Sequence, residues 1–527
     1  MLLRTNFLWF FVAIILLRLV SMAGVPLADT SEPRYAEISR LMMETNDWVT
    51  PWFEPGVPFW GKPPLSFWAQ AASFKLLGVN ELAVRLPSWL ATLGTIFILW
   101  KLSISLVGRR VAQDALIIYV TSALVYISSG AVLTDPFLAL GTTWAMAAFY
   151  LAPMHPVWYW RYGFFIGLAI GLLAKGPLAL VLCFAPLTVW CLLSAENRQN
   201  MKALPWISGL LLTLLISLPW YIIAELKTPG FINYFIVGEH FMRFIDPGWG
   251  GDLYGSAHQQ AKGMIWLQWV MASFPWGLIA LALLVSAWRK PAGRIQMKAA
   301  LAKPLISYLL LWSLVSPVFF TPAGNILWTY LLPSLAAFSL LLALGFDSLI
   351  RAPSLGRKTL QVAPFLTPVF TLVVLIAVSI NPDIMKTEQD LVAFADNQLS
   401  SQNGSDAKSE PLFYLETKLP FSARFYSKGD AKLISMTELI AYRQEGKAMH
   451  LAVPKGQFDA LADALDLPLQ KLFENRRYIL VEIPGAAALP PPLTDIQVQQ
   501  ETMQKEEIPR MVPEGFIIKN RDVVHDA

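Results

Sequence analysis

The chain has 527 residues, 55% of them hydrophobic and only 15% charged, with a mean hydropathy of +0.49 and a formal net charge of +4. A soluble domain carries about a quarter charged residues, so this composition excludes a single water-exposed globule and points to a chain with many lipid-facing positions. No basic stripe marks a nucleic-acid partner, and the two cysteines, Cys183 and Cys191, share one apolar run where buried, inert thiols are expected and no metal spacing exists.

The first apolar run, 7–27, follows Arg4 in the manner of a signal peptide, but it is long and lacks a clean small-residue cleavage site. It reads as a first membrane helix. Arg18 lies inside it, where a charge is costly and marks either a function or a buried partner such as Asp114. Further runs long enough to span, about 20 residues each, occur near 84–107, 111–130, 135–153, 158–175, 176–194, 203–225, 267–288, 302–321, 325–346 and 361–380.

Lysine and arginine then set the orientation. Arg109 with Arg110, Arg161, Arg198 with Lys202, the cluster Arg289, Lys290, Arg294 and Lys298, and finally Arg351, Arg357 and Lys358 fall on alternate connections. The positive-inside rule puts these loops and the N-terminus in the cytoplasm and everything after about residue 381 outside. The expected fold is an α-helical polytopic membrane protein of about eleven transmembrane helices. Residues 1–380 form its membrane domain, with outward loops 28–83 and 226–266, and residues 381–527 form a small C-terminal extracytoplasmic α/β domain. In the latter, strand-like runs Leu412–Thr417, Lys432–Met436, Met449–Val453 and Tyr478–Ile483 alternate with helical patterns at 419–427, 437–446 and 457–465. The proline-rich polar stretch Pro490–Ala527 is expected to lie loosely on the surface.

Most of the unusual polar residues sit in the outward segments, which places the chemistry on the outer face. In Asp29-Thr-Ser-Glu32-Pro-Arg34-Tyr35, Thr30 or Ser31 suits a helix cap and Pro33 the first turn. Asp29 and Glu32 then suit a general base, or simply favour the helix dipole. Lys62, within Trp60-Gly-Lys-Pro-Pro, fits a point charge on a lipid phosphate, or an interfacial snorkel. Asp135, in Thr134-Asp-Pro, either caps a helix or faces the same cavity as Asp29 and Glu32, and Lys175 emerges on that face. Acids from separate loops can hold a divalent cation or share proton transfer, and Asp29, Glu32, Asp135 and Glu239 are the candidates. In Gly238-Glu-His-Phe-Met-Arg243, Glu239 and Arg243 are spaced to pair, while His240 and Arg243 are candidates for a phosphate or sugar. Tyr330 either donates to a phosphate or belongs to the aromatic belt.

The ordered set DTSEPRYAEISR, WGKPPLSFW, LTDPF, LLAKGP and GEHFMRF resembles the bacterial GT-C glycosyltransferases of the protein-mannosyltransferase and aminoarabinose-transferase kind, over most of residues 7–345. The resemblance implies an inner-membrane enzyme that moves a sugar from a polyprenyl-phosphate (undecaprenyl-phosphate) donor to a periplasmic acceptor such as lipid A, a surface glycan or a protein, typically with inversion. It implies an acid of the first outer loop near the acceptor and Lys62 at the donor phosphate. Asp135, Glu239, His240, Arg243 and Tyr330 match further cavity positions, with Arg34, Tyr35 and Lys175 as candidate substrate contacts; Arg18, by its place in the first run, either lies on the path of a polyprenyl phosphate or pairs with an acid such as Asp114. Three departures leave the sugar, the acceptor and the identity of the base open: Ser31 and Gly61 stand where the aminoarabinose transferases have acids, and Asn325 lies where a basic residue precedes the tyrosine. The alternative, a transporter or flippase of lipid-linked sugars, would place acids and broken helices at mid-membrane. Only Arg18 and Asp114 hint at that, and no internal repeat is visible.

Overall fold

A computed structural model describes residues 7–484, apart from 247, 256–258, 350–354, 404–410, 416–417 and 447. The proline-rich stretch 490–527 lies outside the described residues.

All eleven apolar runs are helical in large part, but their joints differ from the expectation. Runs 84–107 and 111–130 form two helices within Glu81–Thr121, separated by a kink at Gly108, whose φ of 78° only glycine adopts without strain. The run 267–288 is broken into Met264–Ala272 and Trp276–Arg289, which meet at 110°. Pro275 lacks the N–H that a continuous helix needs there. The carbonyl freed at Phe274 accepts from Ala123 N at 2.9 Å, just beyond the end of Glu81–Thr121. Two chain breaks thus satisfy each other, as backbone at membrane depth must. Among the described residues five helices are long and apolar enough to cross a membrane, or seven if each bent pair is one span. Asp135–Leu151, Gly163–Lys175 and Leu178–Leu193 are shorter, at 17, 13 and 16 residues.

The first and second of these short helices touch through glycine. A Cβ on Gly141 would lie 2.6 Å from the Gly167 carbonyl, so the backbones approach as only small residues allow. Their ends, bearing Asp135 and Lys175, are thereby brought side by side.

The segment 28–83 is not an open loop. It folds as helix Ser31–Thr45, a short hairpin (Trp52–Glu54 with Val57–Pro58) and helix Leu65–Leu77. Leu27, Tyr35, Ile38, Met42, Phe59, Phe67 and Phe74 form its core, joined by Tyr254 and by Phe425 of the C-terminal region.

Beyond helix Leu355–Ile380 the chain forms a five-stranded mixed sheet in the order Lys432–Leu433, Phe413–Tyr414, Met449–Pro454, Tyr478–Ile483, Lys471–Glu474. Strands Met449–Pro454 and Tyr478–Ile483 pair antiparallel with Leu451 opposite Val481. Their side chains alternate between two cores: Ala452, Tyr478 and Leu480 pack with Leu391 and Tyr414, whereas Leu451, Val453, Ile479 and Val481 pack with Leu439 and Leu461. Both faces are buried, which makes this an α/β unit. The strand Lys471–Glu474 has no counterpart in the sequence reading: it is short, edge-placed and largely exposed.

Candidate active site

A polar cavity of about 360 Å³ lies between helix Ser31–Thr45 and the C-terminal domain, and a narrower pocket of about 190 Å³ adjoins it. Five residues line both: Lys62, Lys175, Glu239, Arg243 and Tyr330. The narrow pocket continues between apolar side chains that include Leu178, Val181, Phe244 and Phe319.

Glu239 is the hub. Its carboxylate takes Lys62 Nζ at 3.0 Å on one oxygen and Arg243 Nη1 at 3.0 Å on the other. Burial alone would raise its pKa, but the two cations outweigh burial and hold it at about 2. The same contact reverses the drop that burial imposes on Lys62, so the ammonium stays charged. Arg243 also lies 3.5 Å from Asp252, and its Nε is buried without a partner. Glu239 comes from a π-helix, Asn233–Met242, a rare element often found at functional sites, and Arg243 is its C-cap. Its i→i+5 repeat aligns residues five apart, setting Tyr234 3.5 Å from Glu239 and Phe235 edge-on to His240.

His240 has both ring nitrogens against carbonyls, Phe235 O at 2.7 Å and Lys175 O at 3.0 Å. Burial lowers its pKa, and the neutral ring donates to only one of them. It braces the Lys175 backbone. Lys175 Nζ in turn binds Asp135 and stands 4.5 Å over the ring of Tyr330. Asp135 opens its helix with Pro136 in the first turn and lines the wider cavity beside Thr30 and Ser31. Tyr35 and Arg34 line it too; Arg34 donates to Tyr254 O at 2.7 Å and leaves its buried Nε unpartnered.

Asp29 and Glu32 sit differently from the shared outer cavity expected for them. Thr30 occupies the cap position of helix Ser31–Thr45 without a side-chain capping bond. Glu32 turns inward, where Arg85 grips it with both arms at 2.7 and 3.1 Å and Val132 N donates at 3.0 Å. Asp29 turns to the C-terminal domain, paired with Arg477 and accepting from Ser422 N at 2.9 Å. Neither lines the polar cavity. No three His, Cys, Asp or Glu side chains gather as a metal site among the described residues, because each of the four candidate acids has its own cation.

Several contributors escaped the sequence reading: Arg85, Asp252, Tyr254, Trp328 and, from the C-terminal domain, Lys418 and Phe421, which roof the cavity. Arg85 had a signal, a charge at the start of an apolar run. The two free cysteines are buried as expected.

The profile of the dolichyl-phosphate-mannose-protein mannosyltransferase family matches residues 1–235. Among curated proteins, an undecaprenyl phosphate-alpha-4-amino-4-deoxy-L-arabinose arabinosyl transferase of Shewanella sediminis is 30% identical over 355 residues, covering 65% of this chain and 60% of that one. The Yersinia pestis protein of the same name is 31% identical over 326 residues, covering 59% and 54%. The chain thus matches somewhat more than half the length of these relatives. Among solved structures, ArnT from Cupriavidus metallidurans bound to undecaprenyl phosphate superposes with a TM-score of 0.72 at 17% identity, covering 90% of this chain and 97% of that one. The chain thus shares the fold of the Cupriavidus structure over most of its length, and its sequence is similar to the mannosyltransferase family over residues 1–235.

Proposed function

We propose that the protein is a membrane glycosyltransferase that moves a sugar from an undecaprenyl-phosphate donor to an extracytoplasmic acceptor such as lipid A, a surface glycan or a protein. One observation carries this reading: Lys62, Arg243 and Tyr330 stand where an apolar pocket opens into a polar cavity. A lipid phosphate needs this junction, an isoprenoid tail on one side and a sugar on the other. The names of the curated relatives and the undecaprenyl phosphate in the Cupriavidus structure support it.

In the reaction the bond between the sugar C1 and the phosphate oxygen breaks, and the acceptor oxygen bonds to C1. The electron pair leaves with polyprenyl phosphate, and the acceptor proton passes to a base. Lys62 and Arg243 neutralise the charge that grows on the departing phosphate. Tyr330 donates to it, and Arg34, Tyr35, Lys175 and His240 shape the cavity. Asp135, which Lys175 orients, is the base best placed by cavity geometry, with Asp29 and Glu32 fixing the helix that carries Arg34. The alternating Lys/Arg connections support a cytoplasmic N-terminus and an extracytoplasmic domain from residue 381.

The test is a reconstituted transfer assay. Purified protein given polyprenyl-phosphate sugar releases polyprenyl phosphate and labels the acceptor, and Asp135→Asn and Lys62→Ala each lose most of the rate. Movement of the intact lipid-linked sugar across proteoliposomes, with no transfer product, replaces this reading with a flippase.

A further inference from the structure

Behind the polar cavity lies a second, larger chamber of about 700 Å³. The first helix, the short helix Ala123–Ser128, the broken helix around Phe274 and helix Leu355–Ile380 line it, and it opens between them to the outside of the helix bundle. Its walls are mostly apolar, with Ile127, Met271, Phe370 and Val374 among them. At one end stands Arg18.

Arg18 sits six residues before the end of helix Phe7–Gly24, about 9 Å below it at 1.5 Å per residue. Every partner it has is neutral: Ser21 Oγ at 3.0 Å, Ser129 Oγ at 3.3 Å and the Ile127 carbonyl at 2.6 Å, with the Tyr126 ring 5.3 Å away. Among the described residues no carboxylate comes within ion-pair distance of it. The other arginine of the chamber, Arg85, is neutralised by Glu32. Gly130 leaves the room the guanidinium occupies, since a Cβ there would lie 2.4 Å from its Cζ. Glu32 also lines the chamber and attracts Arg18 from beyond ion-pair distance, but it is bound by Arg85. The three groups together leave one positive charge beside an apolar space, which suits an anion that arrives with its own hydrocarbon.

We propose that this chamber binds an anionic membrane lipid, its phosphate against Arg18 and one chain along Phe370 and Val374. The site is separate from the donor junction at Lys62 and stands whether or not the chain is a transferase. Two sources carry this chemistry, a bulk phospholipid and a phosphorylated glycolipid acceptor. Trp328 lines both this chamber and the polar cavity.

Native mass spectrometry of the full chain in detergent tests this with four probes: phosphatidylglycerol, phosphatidylethanolamine, a phosphorylated diglucosamine lipid and undecaprenyl phosphate. The expected result is an anionic lipid held about tenfold or more tighter than phosphatidylethanolamine, weakened by that factor in Arg18→Gln and in Val374→Trp, and regained in Arg18→Lys. Tight phosphatidylglycerol identifies a phospholipid as the source; tight binding of the glycolipid alone identifies the acceptor. Lys62→Ala, which weakens undecaprenyl phosphate, leaves the Arg18-dependent lipid in place if the sites are separate. Equal binding of zwitterionic and anionic lipid, unchanged binding in Arg18→Gln and Val374→Trp, or loss of the lipid in Lys62→Ala overturns the proposal. Should Arg18→Gln fail to fold, Val374→Trp decides alone, because it fills the chamber without touching the cation.

Discussion

Lys62 and Glu239, 177 positions apart in the chain, meet at 3.0 Å, and their contact joins the first outer segment to the π-helix of the second. Glu239 keeps Arg243 when Lys62 is removed, so its charge is not stranded. Lys62→Ala is therefore expected to lower transfer by about 10²-fold, the scale for losing one electrostatic stabiliser of a transition state. The melting temperature in detergent should change little. A large fall in stability with normal turnover per folded molecule would make Lys62 structural instead.

The C-terminal domain is held to the first outer helix by one guanidinium serving two acids. Arg477 reaches Asp29 and also Glu388 at 2.7 Å, and both carboxylates are buried. Arg477→Ala strands both, at a cost on the scale of about 3–5 kcal/mol for breaking a buried pair. Asp29→Asn leaves Arg477 with Glu388 and should cost less. Hydrogen exchange at 421–427 is expected to rise more in Arg477→Ala than in Asp29→Asn. Unchanged exchange in Asp29→Asn together with abolished transfer would return Asp29 to the role of base.

Burial of Glu388 itself makes the stability of this domain pH-dependent, in the opposite sense to its ion pair with Arg477. Burial, only partly offset by Arg477 and Asn475, pushes the Glu388 carboxyl up to about 7 from its ordinary 4.5. The folded state then holds more protons than the unfolded one between these values, so stability falls as pH rises. The contribution is fully present below about pH 4.5 and lost as pH passes 7. Once the intrinsic rise of amide exchange with pH is divided out, the domain should be less protected at pH 8 than at pH 5.5, and Glu388→Gln should flatten the difference.

Gly176 sits at φ 76°, directly after Lys175. A left-handed backbone costs a residue with a Cβ about 1–2 kcal/mol, and here that Cβ would lie 2.6 Å from the Phe235 ring. Gly176→Ala should lower thermal stability by at least this amount and displace Lys175 from Asp135. A variant as stable and active as the parent would show that the turn can rearrange freely.

Local patterns were legible in the sequence. The apolar runs became helices, and Met449–Val453 and Tyr478–Ile483 became the central strands, because periodicity and β-branched content are local signals. The spacing of Glu239 and Arg243 likewise anticipated their pairing. Long-range partners were hidden: nothing near Asp29 announces Arg477, 448 residues away, and nothing near Glu32 selects Arg85 among the arginines. The π-helix was also invisible, since a GEH motif reads alike on either kind of helix. The break before Pro275 left only its proline as a clue, and the carbonyl that makes it tolerable belongs to a contact with Ala123.

Trp328 stands in the walls of two chambers at once. A molecule that displaced this indole from one side would change the room on the other and so link the two occupancies. Linkage is reciprocal: whatever factor a lipid in the large chamber applies to affinity in the polar cavity, the occupant of that cavity applies to the lipid in return. A single ring would then let the surrounding bilayer's composition act as an effector.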